Sequence, residues 1–172
     1  MSDKKKIKDL FLVVVNSIEI GKNKKLISSL VMFLSNLCYG TGKLRQMLAK
    51  DDQTELMAIL RKILDQIQLD EKYMPGEDDE NQDPNILAKE RKKFESEEKT
   101  DKSLLKTSIY SLIGNLCIEK ALRMLFANDN SGILSQVHKD FRKDMADKKF
   151  DWYDMMTKQL AIFINVSIEA PA

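Results

Sequence analysis

Few residues in this 172-residue chain could do catalytic or metal chemistry. His138 is the only histidine, so a Cys–His or Ser–His–Asp arrangement would have to use it. Asp140 and Asp144 follow it, but positions two apart point to different sides of a helix, so this spacing disfavours a metal site. A glycine-rich phosphate loop is also missing from the sequence. We therefore predict no catalytic residue, no metal site and no cofactor.

A short phrase occurs three times, each time at the end of an apolar stretch. Its copies are residues 34–38 (LSNLC), 113–117 (IGNLC) and 163–167 (FINVS). Each reads apolar, small or apolar, Asn, apolar, then Cys or Ser. A recurring helix end indicates a stack of similar helical units, and stacked units usually present a binding surface.

The two cysteines, Cys38 and Cys117, end two copies of this phrase. Equivalent positions in stacked units should lie roughly 10 Å apart, the spacing of packed helices, which is beyond disulfide reach. We predict two free thiols that serve as small buried side chains in a reducing compartment.

Composition and charge restrict the class of protein. Apolar residues make up 43% of the chain, and 28 Lys and Arg balance 27 Asp and Glu. A net charge of +1 argues against a nucleic-acid binder, and no apolar run approaches the ~20 residues that span a bilayer. The basic N-terminus precedes an apolar run too short for a signal peptide. We expect an intracellular, cytoplasmic protein without membrane insertion; nuclear or cytoskeletal association stays open.

The pattern of apolar residues predicts an all-α fold. Prolines and glycines are few, and no run alternates strictly between apolar and polar residues. Apolar spacing and capping signals predict helices at about 4–20, 24–39, 43–49, 51–69, 101–117, 121–127, 131–145 and 152–168. The candidate N-caps are Asn23, Asp51 or Asp52, Asp83, Asp101 and Asp151.

Residues 74–102 interrupt this rhythm and are predicted to be a charged insertion. They open with a Pro-Gly pair and the acidic run 77–80, which lacks the spacing of a calcium loop. Asp83 and Pro84 then signal a helix start. We expect a solvated loop and a lightly docked helix over 85–99, separate from the helix that Asp101 begins.

Residues 31–38 (VMFLSNLC), followed by Gly40, Gly42 and Arg45, resemble a unit junction of the armadillo repeat family. There the third helix of a unit ends in a similar Asn-bearing segment before a glycine turn and a basic residue. The second copy keeps only the basic position, at Arg123, and the third matches through its Asn alone.

The resemblance implies one domain over 1–172 with the insertion inside its second repeat. With about 37 inserted residues removed, the first two copies of the phrase lie about 42 residues apart, and the last two, 50 residues apart, form a slightly longer version of the same period. A period near 40 residues is in the range of such families. The expected fold is a short armadillo-like α-solenoid of about two and two-thirds repeats.

The resemblance also implies a binding groove lined by the third helices. In that family the Asn bonds the backbone of an extended peptide, which suits a side chain with both donor and acceptor. The candidate partner-binding residues are Asn36, Met32, Asn115, Ser111, Asn165 and Ala161. The alternative stays open that each Asn bonds its own helix end or a neighbouring turn.

Nuclear import adaptors carry a Trp one turn before the Asn, where this chain has Met32, Ser111 and Ala161. This difference disfavours the recognition of basic localisation signals. We expect a non-enzymatic protein–protein interaction module that binds a protein or peptide segment. The alternative is a structural subunit that stacks through the exposed ends of its solenoid, on itself or within a larger complex.

Overall fold

The computed structural model describes residues 23–50, 53–68, 83–128, 132–147 and 152–168 and the single positions 6, 9, 10, 13 and 17, and these residues form helices joined by short turns. The predicted all-α class is confirmed. The helices are α1 (Lys24–Gly40), α2 (Gly42–Lys50), α3 (Gln53–Gln68), α4 (Pro84–Leu116), α5 (Lys120–Ala127), α6 (Ile133–Asp147) and α7 (Trp152–Ser167). The acidic run 77–80, the candidate caps Asp51, Asp52 and Asp151, and most of the predicted helix 4–20 lie outside the described residues.

Two predicted caps are confirmed. The Asn23 side chain accepts a hydrogen bond from the backbone N–H of Leu26 at 3.1 Å and begins α1. Asp83 accepts from the backbone N–H of Asn85 at 2.8 Å, with Pro84 in the first turn of α4. Each carboxylate or amide oxygen satisfies a backbone donor that has no partner within its own helix.

The predicted break at Asp101 is wrong, because α4 runs without interruption for 33 residues. No Gly or Pro occurs between positions 85 and 113, and strong helix formers fill this stretch. Ion pairs four residues apart support the helix before the expected junction, between Arg91 and Glu95 at 3.3 Å, and across it, between Glu98 and Lys102 at 3.3 Å. The helical part of the insertion is therefore an extension of the helix that bears the second phrase.

The three helices that bear the repeated phrase lie side by side, with α4 between α1 and α7. Ser28 and Ser108 share a hydrogen bond of 2.8 Å, and seven residues further along both helices Asn115 bonds Ser35. Equal steps in the same direction show that α1 and α4 run parallel. A Thr107–Met155 contact and a Gly114–Ile162 approach, again seven residues apart, show the same for α4 and α7.

The remaining helices pack against this layer and against one another. The short helices α2 and α5 contact each other, and so do α3 and α6. The apolar core between these helices is continuous and includes the fully buried residues Val31, Leu60, Leu105, Ile109, Leu112, Ile113, Phe126, Val137 and Ile162. Burial of these side chains holds the layer of α1, α4 and α7 in a fixed order.

Replacing Gly114 by Ala is expected to raise the free energy of unfolding by about 0.5–1 kcal/mol, because Gly is a poor residue inside a helix. An added Cβ would meet Ile162 Cγ1 at 3.8 Å, an ordinary contact distance. Urea denaturation measures the change. The control is Gly132→Ala, which should destabilise by about 1–2 kcal/mol because Gly132 has a φ of 77°. A loss of stability in Gly114→Ala would contradict the described α4–α7 packing.

Candidate binding face and buried polar cluster

The three asparagines of the phrase occupy the same register on neighbouring parallel helices. Asn36 of α1 is exposed, while Asn115 of α4 and Asn165 of α7 are half-buried. The helices that carry them are adjacent, so the asparagines form a row that crosses the layer. We name this row, with the residues one turn before it, the Asn face.

Met32, Ser111 and Ala161 complete the Asn face. Met32 and Ser111 are half-buried and Ala161 is exposed. The Ser111 hydroxyl donates to the carbonyl oxygen of Thr107 in its own helix at 2.9 Å. None of the six side chains of the face carries a charge, so it offers amide, hydroxyl and apolar contacts.

The structure gives Asn115 a specific internal role. Its Nδ2 donates to the backbone oxygen of Ser35 at 3.0 Å and lies 2.9 Å from the Ser35 hydroxyl. The Asn115 side chain therefore joins α4 to α1. The sequence suggested instead that it bonds a partner peptide, or its own helix end or a neighbouring turn. Its Oδ1 remains the atom through which it could accept a hydrogen bond from another molecule.

A recurring arginine closes the end of two phrase-bearing helices. Nη1 of Arg45 donates to the carbonyl oxygens of Cys38 and, at 3.0 Å, of Tyr39. Nη1 of Arg123 donates to those of Cys117 at 3.3 Å and Ile118 at 2.9 Å.

Charge-assisted bonds of this kind satisfy carbonyl groups that a helix end leaves without partners. The sequence indicates the repeated basic position, but only the geometry identifies it as a cap for the preceding helix.

Both cysteines are free and fully buried, as predicted. Burial raises the pKa of the Cys38 thiol to about 12, and the Arg45 guanidinium lowers it to a smaller extent. Burial likewise raises the pKa of Cys117 to about 12, against the smaller effect of Arg123. Since the thiolate is the reactive form, these residues act as apolar core side chains at neutral pH.

A second set of polar side chains lies between α4, α6 and α7. The Tyr110 hydroxyl donates to Asp140 Oδ2 at 2.5 Å, and Gln136 Nε2 donates to Asp140 Oδ1 at 3.1 Å. Tyr110 and Asp140 are both buried. Burial raises the pKa of Tyr110 far above its usual value, and the charge of Asp140 raises it further. The hydroxyl consequently stays protonated and acts as the donor to Asp140.

The same cluster contains an ion pair that is largely shielded from solvent. Lys106 Nζ lies 2.7 Å from both carboxylate oxygens of Asp144, and Gln159 Nε2 donates to Asp144 Oδ2 at 2.9 Å. The Lys106 and Asp144 side chains are only 13% and 20% exposed. Lys106 Nζ also lies 5.9 Å from the centre of the Tyr110 ring, within the range of a cation–π interaction. These contacts fix α6 and α7 against α4.

This cluster was not predicted from the sequence, where Asp140 and Asp144 were considered only as partners of His138. The available signal was spacing: Lys106 and Tyr110 lie four residues apart, as do Gln136, Asp140 and Asp144. Residues four apart share one face of a helix.

His138 lies outside the cluster. It is exposed, and its ring packs edge-to-face against Phe163 with ring centres 6.2 Å apart. Within the described ranges, no group of three or more His, Cys, Asp or Glu side chains is arranged to hold a metal ion. Among the helices described, none combines the length and apolar character needed to cross a membrane.

Comparison of the chain with models of protein families, with curated proteins and with solved structures finds no significant match to any of them.

Proposed function

We propose that this protein is a non-enzymatic protein-interaction module with an armadillo-like arrangement, and that an extended partner segment binds along the Asn face. The observation that carries this proposal is the common register of Asn36, Asn115 and Asn165 on three adjacent parallel helices. Helices at equivalent places of the predicted units also contact one another, α2 with α5 and α3 with α6, as expected of stacked repeats.

The spacing of the helices suggests the length of the partner segment. Packed helices lie about 8–10 Å apart, so the three phrase-bearing helices should span close to 20 Å from the first axis to the last. An extended chain advances about 3.3 Å per residue, and about six residues therefore cover the row.

The side chains of the row suggest how such a segment binds. The exposed amide of Asn36 can both donate to and accept from a peptide backbone. Asn115 donates to Ser35 internally, and we therefore assign its Oδ1 as an acceptor for a peptide N–H. The uncharged surroundings at Met32, Ser111 and Ala161 favour small or apolar partner side chains over strongly charged ones.

The test is selection of binders from a library of random peptides about eight residues long, followed by affinity measurement on two variants. Ala161→Arg and Ser111→Arg place a long charged side chain on the face. Each is expected to weaken binding of the selected peptides by about tenfold or more, because a peptide on the face must displace that side chain. Fluorescence anisotropy with labelled peptides gives the affinities.

Matched substitutions away from the face serve as controls. Ala58→Arg on α3 and Ser135→Arg on α6 change the same residue types at exposed positions. They should leave the affinities unchanged, and circular dichroism should show that all four variants fold. Selected peptides that bind both face variants as tightly as the unaltered protein would show that the Asn face is not the binding surface.

A further inference from the structure

The parallel helices α1, α4 and α7 contact one another through two different sides. We define the forward side of a phrase-bearing helix as the side that faces the next phrase-bearing helix. In α1 this side contains Ser28 and Ser35, which contact α4. In α4 it contains Thr107 and Gly114, which approach α7. With the three asparagines aligned, the forward sides are Ser28, Val31, Ser35 and Cys38 in α1; Thr107, Tyr110, Gly114 and Cys117 in α4; and Thr157, Leu160, Ile164 and Ser167 in α7.

The forward sides differ sharply in exposure. All four positions are buried in α1, and in α4 they are buried or half-buried. All four are exposed in α7, where Leu160 is 41% and Ile164 is 61% accessible. Helix α7 therefore presents to solvent the same side that α1 and α4 use for packing.

The rear side faces the preceding phrase-bearing helix. Its positions are Leu26, Ser29, Phe33 and Asn36 in α1; Leu105, Ser108, Leu112 and Asn115 in α4; and Met155, Lys158, Ile162 and Asn165 in α7. The apolar members are buried in α4 and α7. In α1 all four positions are exposed, with Leu26 at 53% and Phe33 at 49%.

We infer that the forward side of α7 binds the rear side of α1 in a second copy of this chain, so that copies associate head to tail. Each chain already forms this forward-to-rear contact twice internally, between α1 and α4 and between α4 and α7. Among the described helices, the rear side of α1 and the forward side of α7 contact no further phrase-bearing helix, and both present exposed large apolar side chains. The intermolecular contact thus continues an interface that the fold itself uses.

The direction of the contact indicates a head-to-tail arrangement of two copies of this chain. A symmetric dimer through α7 alone would pair a forward side with another forward side, a combination that does not occur within the chain. A forward-to-rear contact between two copies is heterologous, so each added copy presents a new free end. This inference goes beyond the proposed function, because it depends on the two ends of the layer and not on peptide binding to the Asn face.

The experiment is sedimentation velocity over a range of about 5 to 500 µM protein, since association of this kind depends on concentration. The unaltered chain is expected to form dimers and larger species as the concentration rises. Ile164→Glu removes the forward side and Phe33→Glu removes the rear side. Each variant alone should weaken association by at least about tenfold, because a charge then enters an apolar contact.

Mixing the two variants separates head-to-tail association from other arrangements. Ile164→Glu keeps an intact rear side and Phe33→Glu keeps an intact forward side, so an equimolar mixture should form a one-to-one dimer and nothing larger. A symmetric α7 dimer would instead resist Phe33→Glu and lose affinity only in Ile164→Glu. A different partner at these sides would leave the unaltered chain monomeric at every concentration, and either result overturns the inference.

The control variants are Met124→Glu on α5 and Met145→Glu on α6, exposed apolar positions off both sides at 47% and 44% accessibility. They should associate like the unaltered chain. Asn36 belongs both to the Asn face and to the rear side of α1, but Phe33 and Ile164 lie outside the Asn face. Failure of this test therefore leaves Ser111→Arg and Ala161→Arg as a separate test of peptide binding.

Discussion

The free energy of unfolding is expected to fall steeply above pH 9, by about 1.4 kcal/mol per pH unit for each of the two buried thiols. Burial raises the pKa of both Cys38 and Cys117 from 9.0 to about 12 in the folded chain. Between these values the unfolded chain loses protons that the folded chain keeps. The stability that the protonated thiols contribute is therefore fully present below pH 9 and is lost as the pH rises toward 12.

The measurement is urea denaturation at a series of pH values from 8 to 10.5, with a reductant that keeps the thiols free. Between pH 9 and pH 10 the two thiols together should give an average slope of about 2 kcal/mol per pH unit, which rises toward about 2.7 kcal/mol per pH unit above pH 10. Tyr110, whose pKa is also raised by burial and by Asp140, adds to the loss at higher pH.

Alanine variants isolate the contribution of the thiols. Cys38→Ala or Cys117→Ala should each remove about half of the slope between pH 9 and pH 10, and the double variant nearly all of it. The comparison uses slopes, so the stability cost of each substitution at neutral pH does not affect it. Equal slopes in the unaltered chain and the double variant would mean that the thiols are accessible to solvent.

The helices and their ends are the part of the fold that could be predicted from the residues. Asn23, Asp83 and Pro84 are local signals, and a cap acts only on the first turn that follows it, so short-range patterns are sufficient. The predicted and observed ends of α1, α2, α5, α6 and α7 differ by about two residues or fewer, within the usual variation of helix assignment.

The predicted break before Asp101 shows where local signals fail. Asp is a good cap, yet it is also tolerated inside a helix when its neighbours favour helix strongly. The absence of Gly and Pro around Asp101 favours a continuous helix, but the capping signal of Asp101 itself is the same in both uses. Contacts outside the local segment help to hold the continuous helix, including the ion pair of Lys24 with Glu98 at 3.5 Å that connects α1 to α4.

The internal partners of the polar residues could not be predicted, because they come from distant parts of the chain. Ser35 and Asn115 are 80 residues apart, and Tyr110 meets Asp140 only when α6 packs on α4. The repeated phrase indicates which positions are equivalent. Which side of each helix faces its neighbour depends on the packing of the whole chain. For this reason the sequence could not show that Asn36 is exposed whereas Asn115 faces α1 and bonds Ser35.

The second large effect is expected at Tyr110. Tyr110→Phe removes the hydroxyl that donates to the buried carboxylate of Asp140 and should lower the free energy of unfolding by about 1–3 kcal/mol. Asp140→Ala should also destabilise, since it leaves the Tyr110 hydroxyl without its acceptor. The double variant should lose less than the sum of the two single losses, because the second substitution removes a group that has already lost its partner.

Chemical denaturation of the four proteins measures the coupling energy between Tyr110 and Asp140, expected at about 1–3 kcal/mol. Tyr153→Phe is the matched control, because Tyr153 is 76% exposed, and a surface change of this kind should shift stability by no more than about 0.5 kcal/mol. Additive losses at Tyr110 and Asp140 would contradict the hydrogen bond between them. A coupling in the expected range would identify this bond as a main link between α6 and α4.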